Sequence, residues 1–197
     1  MKWFLNELAS GPLARANTTG ENVYTLLENS AHDSPTGILV LPHFAGAATP
    51  YMDTGSRGAV IGLGLNHTTA DLYRAVMEGI TYEDAVNIEK LAKSGVKIRE
   101  LNASGGCSRS EVWLQMKADI LGIPVTRLCI EEAGTVGSVL FTGVAIGIYE
   151  NLEKAAKAIV KPLKTYSPRP EHHAAYLKHY TRYRKMYDAV RPLMDMD

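Results

Sequence analysis

Residues 96–124, VKIRELNASGGCSRSEVWLQMKADILGIP, constrain the fold more than any other stretch of this chain. From Val96 to Ala103, β-branched and apolar residues alternate in part, which predicts a buried strand ending near Ser104. Gly105 and Gly106 follow at once and can take backbone angles closed to other residues. Ser108 stands three residues before Glu111, the spacing of a capping box at a helix start. In the predicted helix Val112, Trp113, Met116 and Ile120 share one face, while Glu111, Gln115, Lys117 and Asp119 mostly lie elsewhere. A strand that turns sharply into a helix with one apolar face suits a helix laid on a sheet, and with the strands and helices that alternate along the rest of the chain it reads as α/β. A glycine turn leading into a helix also offers free N–H groups and the positive end of the helix dipole, which suit nucleotide or phosphate. The same turn serves equally as a plain connection, because it matches neither GxGxxG nor GxxxxGK[ST].

The rest of the chain fits this frame. Residues 37–41 (GILVL) and 58–65 (GAVIGLGL) read as strands, and 124–128 (PVTRL) as another. Residues 69–94 carry a helical pattern with Leu72, Val76 and Ile80 at steps of four, interrupted by Gly79. A glycine inside a helix costs about 0.5–1 kcal/mol, so its presence predicts a close approach of another backbone. Glu78 beside it reads as solvated, with a buried hinge partner as the alternative. Shorter helices are expected at 2–8, 21–31 and 151–160, with Ser10, Gly11 and Pro12 stopping the first. Residues 133–149 (AGTVGSVLFTGVAIGIY) contain no charge. Their length is at the low edge for a membrane span, and their small residues and the Val136, Leu140, Val144, Ile148 stripe predict a helix buried against a sheet. Residues 162–170 read as a proline-rich link, and 171–190 as a final helix with Tyr176, Tyr180, Tyr183 and Tyr187 along one side. That stripe is either a docking face or a stacking platform for single-stranded nucleic acid. A mixed sheet flanked by helices follows.

Composition removes several function classes. Lys plus Arg and Asp plus Glu both number 21, so no broad electrostatic funnel for nucleic acid or anionic membrane is expected. Cys107 and Cys129 have no CxxC partner, which argues against a disulfide framework or zinc site and favours a reducing cytoplasm. The first ten residues lack the apolar core of a signal peptide. Phe4 and Leu8, with Trp3 and Leu5, form a helix face entered without a cap, and predict a chain that begins inside a longer protein. Residues 42–58 form a long loop with two prolines, three glycines and the charges Asp53 and Arg57; loops of this length are usually functional or disordered. Asp53 and Arg57 either pair with each other or face a ligand cleft.

Two stretches together resemble a known family. Gly58-Ala59-Val60-Ile61-Gly62-Leu63, followed by Asp71-Leu72-Tyr73-Arg74-Ala75-Val76-Met77-Glu78, is similar to the carboxy-terminal signature of the FGGY carbohydrate kinases. Leu41-Pro42 through Thr49-Pro50, with 53–58, resembles the family's loop between strands. Gly105-Gly106 with Arg109-Ser110 and Trp113 resembles its adenosine motif, and 132–137 its last glycine-rich helix start.

The resemblance implies a ribonuclease-H-like, actin-like ATPase fold, with residues 1–197 forming the second domain of a two-domain kinase. It implies ATP and Mg²⁺ as cofactors, a pentulose, hexulose or polyol as substrate, and transfer of the γ-phosphoryl group to a sugar hydroxyl. Gly105, Gly106 and Cys107 would line the adenine pocket, with Ser110 near it; Asp53 and Arg57 would face the cleft or shape its loop. The general base and the first phosphate motif would lie in an amino-terminal domain outside this chain, so the chain alone would be inactive. A homodimer is a further expected partner, because exposed apolar patches drive association. Two departures stand out: Gly46-Ala47-Ala48-Thr49-Pro50 where many relatives have Gly-Glu-Arg-Thr-Pro, and Cys107 where relatives often carry alanine. The competing readings are a non-catalytic actin-like nucleotide-binding or interaction module, and a subunit that assembles with a separate amino-terminal chain.

Overall fold

The computed structural model describes residues 1–194. The elements run α1 (Lys2–Leu8), α2 (Ser10–Thr19), α3 (Val23–Ser30), β1 (Leu39–Leu41), β2 (Ala59–Ile61), α4 (Thr69–Lys93), β3 (Leu101–Ala103), α5 (Glu111–Leu121), β4 (Val125–Leu128), α6 (Ala133–Ala145), α7 (Leu152–Ile159), β5 (Pro162–Tyr166), α8 (Pro170–Tyr183) and α9 (Met186–Val190). Short 3₁₀ turns at Gly106–Arg109 and Arg191–Leu193 complete them. The chain divides into two compact units, Met1–Lys97 with Arg169–Asp197, and Ile98–Pro168.

The first unit is built on the contact between α4 and the antiparallel pair β1–β2, in which Val40 faces Val60. Thr68 caps α4 through a reciprocal box: its hydroxyl accepts from the Asp71 N–H, and the Asp71 carboxylate accepts from the Thr68 N–H at 2.8 Å. The helix buries Tyr73, Val76, Met77, Tyr82, Ala85 and Val86. Gly79 has the close approach that its sequence position predicts, for a Cβ there would stand 2.2 Å from the carbonyl oxygen of Val40. Glu78 is buried rather than solvated. The reason is the inward path of the segment ahead of β1: Glu78 accepts from the Thr36 hydroxyl at 2.9 Å and the Thr36 N–H at 3.2 Å, and lies 3.5 Å from the Arg74 guanidinium. Arg74 in turn donates to the Ser34 carbonyl and to the Tyr176 hydroxyl at 2.8 Å.

Two local expectations give way in this unit. The first helix ends at Leu8 as expected, but Ser10-Gly11-Pro12 leads into no polar link; it opens a second helix, α2. The first turn of a helix has N–H groups with no intrahelical acceptor, so proline there removes no hydrogen bond. The final helix is interrupted at Arg184 and Lys185, between α8 and α9. Its tyrosines form a docking face: Tyr176, Tyr180 and Tyr183 are buried, and Tyr82 of α4 packs on Tyr180 and Tyr183 with ring centroids 5.9 and 5.0 Å apart. Their faces are therefore not presented as a platform for bases.

The second unit has the sheet order β3-β4-β5, with β3 parallel to β4 and β5 antiparallel to it. Helix α5 covers it, packing Leu114 and Ala118 against Val125 and Tyr166, with Leu101 and Ala103 beside them. The expected link at 162–170 contains β5. Proline is tolerated as the first residue of a strand, and Pro162 occupies that position at the sheet edge. The sheet is thus mixed, as expected, but the strands among the described residues form two sheets, one in each unit. Residues 133–145 are helical as expected, yet not buried: Gly143 is the sole buried residue of α6, and Phe141 is 66% exposed. Apolar composition identifies a face that gains by leaving water without identifying what covers it. No helix among the described residues is long and apolar enough to cross a membrane.

Candidate functional site

In the second unit the parallel strands β3 and β4 each run into a turn and a helix, so the turns before α5 and α6 lie at the carboxyl ends of two neighbouring strands. Open α/β sheets bind ligands at this end. The two turns are tied together. The Gly105 N–H donates to the Ile130 carbonyl at 3.4 Å, and Arg109 pairs with Glu131 at 2.5 Å. Nothing in the spacing of Arg109 or Glu131 encodes their contact, which only the placement of the two turns reveals.

Gly105 adopts φ +84°, a conformation that strains other residues. Its carbonyl accepts from both the N–H and the hydroxyl of Ser108, the latter at 2.7 Å, which closes the 3₁₀ turn. This turn corrects the predicted cap. Ser108 is consumed in the turn, and Ser110 caps α5, its hydroxyl accepting from the Trp113 N–H at 3.0 Å. The inserted turn moves the cap two residues along the chain. A Cβ added at Gly106 would meet nothing within 4 Å, and Cys107 is exposed. Gly105, Gly106, Cys107 and Ser110 therefore lie on one turn with open space over Gly106 and the first N–H groups of an 11-residue helix behind it. The arrangement can accept a flat ring against bare backbone.

Asp53 and Arg57 belong to the other unit, on loop 42–58, and they do not pair with each other. Asp53 accepts from Arg191, from the Tyr187 hydroxyl at 2.8 Å, and from the Gly55 N–H at 2.9 Å. The Tyr187 hydroxyl and Arg191 hold its carboxyl below the usual range. Arg57 donates to the carbonyls of Thr54 and Ser56 at 2.8 and 2.9 Å. Both side chains shape the loop. Its base is fastened by His43, whose Nδ1 lies 2.7 Å from the Ser56 hydroxyl and whose Nε2 lies 3.6 Å from Glu83. Serine, histidine and glutamate in this order suggest a nucleophile, but Ser56 is 0% exposed, so no substrate reaches it. Burial lowers the His43 pKa against the pull of Glu83. Sequence reasoning missed His43, Ser56, Tyr187 and Arg191 as loop fasteners. Their partners lie as far as 138 positions away, and only the placement of the loop against the tail reveals them. A separate polar cleft in this unit, lined by His32, Ser34, Pro35, Thr36, Asn66, His67 and Asp71, contains none of the predicted site residues.

The chain is 32% identical over 177 residues to a xylulose kinase of Staphylococcus epidermidis, covering 90% of this chain and 36% of that protein. It is 35% identical to a glycerol kinase of Deinococcus radiodurans over 63% of this chain and 25% of that one. The crystal structure of xylulose kinase from Rhodospirillum rubrum superposes with a TM-score of 0.81 at 25% identity, over 99% of this chain and 38% of that one. The chain thus spans about a third of the length of these relatives. Residues 1–146 match the model of the FGGY family of carbohydrate kinases, C-terminal domain, and the chain belongs to that family.

Proposed function

We propose that this chain is the nucleotide-binding, carboxy-terminal part of a sugar kinase that transfers the γ-phosphoryl group of ATP to a hydroxyl of a pentulose, hexulose or polyol. Residues 1–197 form the second of two domains, and the amino-terminal domain supplies the general base and the first phosphate motif. The observation that carries this reading is the open Gly105-Gly106 turn at the carboxyl end of β3, inside the segment that matches the family. Gly105, Gly106 and Cys107 line the adenine pocket, and Ser110 sets the helix start beneath it. Asp53 and Arg57 give the cleft loop its shape. ATP is held by bare backbone, which fits a flat ring. The Mg²⁺ expected with it has no ready cage, because no group of three His, Cys, Asp or Glu side chains among the described residues is arranged to hold a metal. Mg²⁺ is commonly held by substrate phosphates with one or two carboxylates, so the ion is expected to enter with the nucleotide. The protein works in the cytoplasm, and the exposed apolar face of α6 supports association with the other domain or with a second copy.

The similarity to both a xylulose kinase and a glycerol kinase leaves the sugar to be found by assay. ATP consumption is measured across pentuloses, hexuloses and polyols for the 197-residue chain and for the full reading frame that contains it. The full-length protein is expected to consume ATP with one class, and the chain alone with none, because phosphoryl transfer depends on positioning between two walls. No turnover by the full-length protein with any of them would refute the kinase reading.

A further inference from the structure

Loop 42–58 has little regular structure of its own. Its internal ties are one antiparallel bridge, in which Ala47 and Asp53 exchange N–H···O bonds of 2.8 and 2.9 Å, the His43–Ser56 contact, and short local bonds. What holds residues 51–57 from outside is the last stretch of the chain. The ring of Tyr51 stacks on Tyr187 with centroids 4.0 Å apart, and His43 meets both rings edge-on at 5.5 and 5.8 Å. The Asp53 carboxylate takes the Arg191 Nε and the Tyr187 hydroxyl on one oxygen while its other oxygen closes the turn to Gly55. A Cβ at Gly55 would stand 3.2 Å from Arg191 Nη2, so the glycine lets the guanidinium come close. The Met194 sulfur accepts from the Arg57 N–H at 3.2 Å. Asp53 is the sole acidic residue of the loop, and its capacity is divided between the loop's own turn and the tail.

We propose that Tyr187, Arg191 and Met194 form a strap that sets the conformation of loop 42–58, which makes them positioning residues for that loop. Charge-assisted bonds to a carboxylate are the strong class of hydrogen bond, and the Tyr51–Tyr187 stack adds apolar contact area to them. The strap follows from these contacts alone; the kinase reading adds the assignment of the Gly105-Gly106 turn to the nucleotide and of loop 42–58, the cleft loop, to the sugar, and the KM test below rests on that reading.

Hydrogen exchange of the whole 197-residue chain tests the strap. Arg191→Ala is expected to raise exchange at the amides of 47–56 about tenfold while those of β1 and α4 keep their rates, and Arg191→Lys to restore part of the protection. Tyr187→Phe, which removes one hydroxyl and keeps the ring stack, is expected to raise it about threefold, and serves if the alanine variant fails to fold. Unchanged loop exchange would overturn the proposal, as would an equal rise throughout α4 and β1. In the full-length kinase assay, Arg191→Ala is expected to raise the KM for the sugar severalfold at constant KM for ATP. Loosened exchange with both KM values unchanged would overturn the positioning role. An inactive wild type with loosened exchange in the variant would instead refute the kinase reading and leave the strap in place.

Discussion

Replacing Gly79 by alanine is expected to destabilise the first unit by about 3 kcal/mol or more, which is a large part of the 5–15 kcal/mol that holds a typical domain together. The added methyl would lie 2.2 Å from the Val40 carbonyl oxygen, inside any contact that real Cβ atoms adopt, and a tight 3.1 Å from its carbon. Neither neighbour is a flexible side chain that could swing away. Val40 is fully buried in β1, and Gly79 lies among the buried residues of a 25-residue helix, so relief requires moving one backbone off the other and opening the core between them. Helix propensity acts in the opposite direction, since alanine is favoured over glycine by up to about 1 kcal/mol. The sign of the change therefore decides between the two. Urea unfolding is expected to show a lower midpoint for Gly79→Ala, and a midpoint that stayed or rose would show that α4 does not rest on β1 as described.

The second large effect belongs to Glu78. Burial pushes its carboxyl up to about 7, against the opposing pull of Thr36 and Arg74. A carboxyl whose folded pKa exceeds its unfolded value contributes stability that is fully present below the unfolded value, near 4.5, and is lost as pH rises through the folded one. Between those limits the folded state holds a proton that the unfolded state has released, and the contribution falls by about 1.4 kcal/mol per pH unit, to a total of about 3 kcal/mol. Other groups act differently. Asp33, whose carboxyl is held low chiefly by Arg169, loses its contribution below about pH 4. His43, with its pKa lowered by burial, adds a slope of opposite sign that overlaps the Glu78 window. The comparison with Glu78→Gln cancels these terms. Relative to the wild type, the variant is expected to gain stability from pH 5 to about pH 7 and to level off above it, as read by chemical denaturation at each pH. A constant difference over that range would mean that Glu78 does not titrate in the folded state.

What the sequence disclosed, and what it withheld, has a physical pattern. Period and turn chemistry placed β1, β2, β4 and the long helix α4, because each carries its own local signal. Gly79 announced the close approach because a glycine at that position has no local reason to exist. The fate of Glu78 was hidden, since its burial is imposed by Thr36, 42 positions away, and a glutamate on a helix looks the same whether or not a loop covers it. Strand β5 was hidden by its proline, which marks a link unless it stands at the first residue of an edge strand. The 3₁₀ turn displaced the cap from Ser108 to Ser110 because two serines in one turn give the same spacing signal with different partners. The exposed face of α6 shows the limit most clearly, since apolar patterning states that a surface needs covering and is silent about the cover. At the candidate site the turn from Gly105 to Ser110 was legible as a unit, whereas the fastening of Asp53 to Tyr187 and Arg191 depends on contacts more than a hundred residues apart.

The central claim is that the open turn after β3 receives an adenine nucleotide. Calorimetric titration of ADP into the 197-residue chain and into its Gly106→Trp variant tests it directly. The substitution meets no neighbour within 4 Å at its Cβ and places a bulky ring where the nucleotide is expected, so the fold should persist while the site is filled. Binding by the wild type that weakens at least tenfold in the variant is the expected result; equal affinity in the two proteins, or no binding by either, would contradict it.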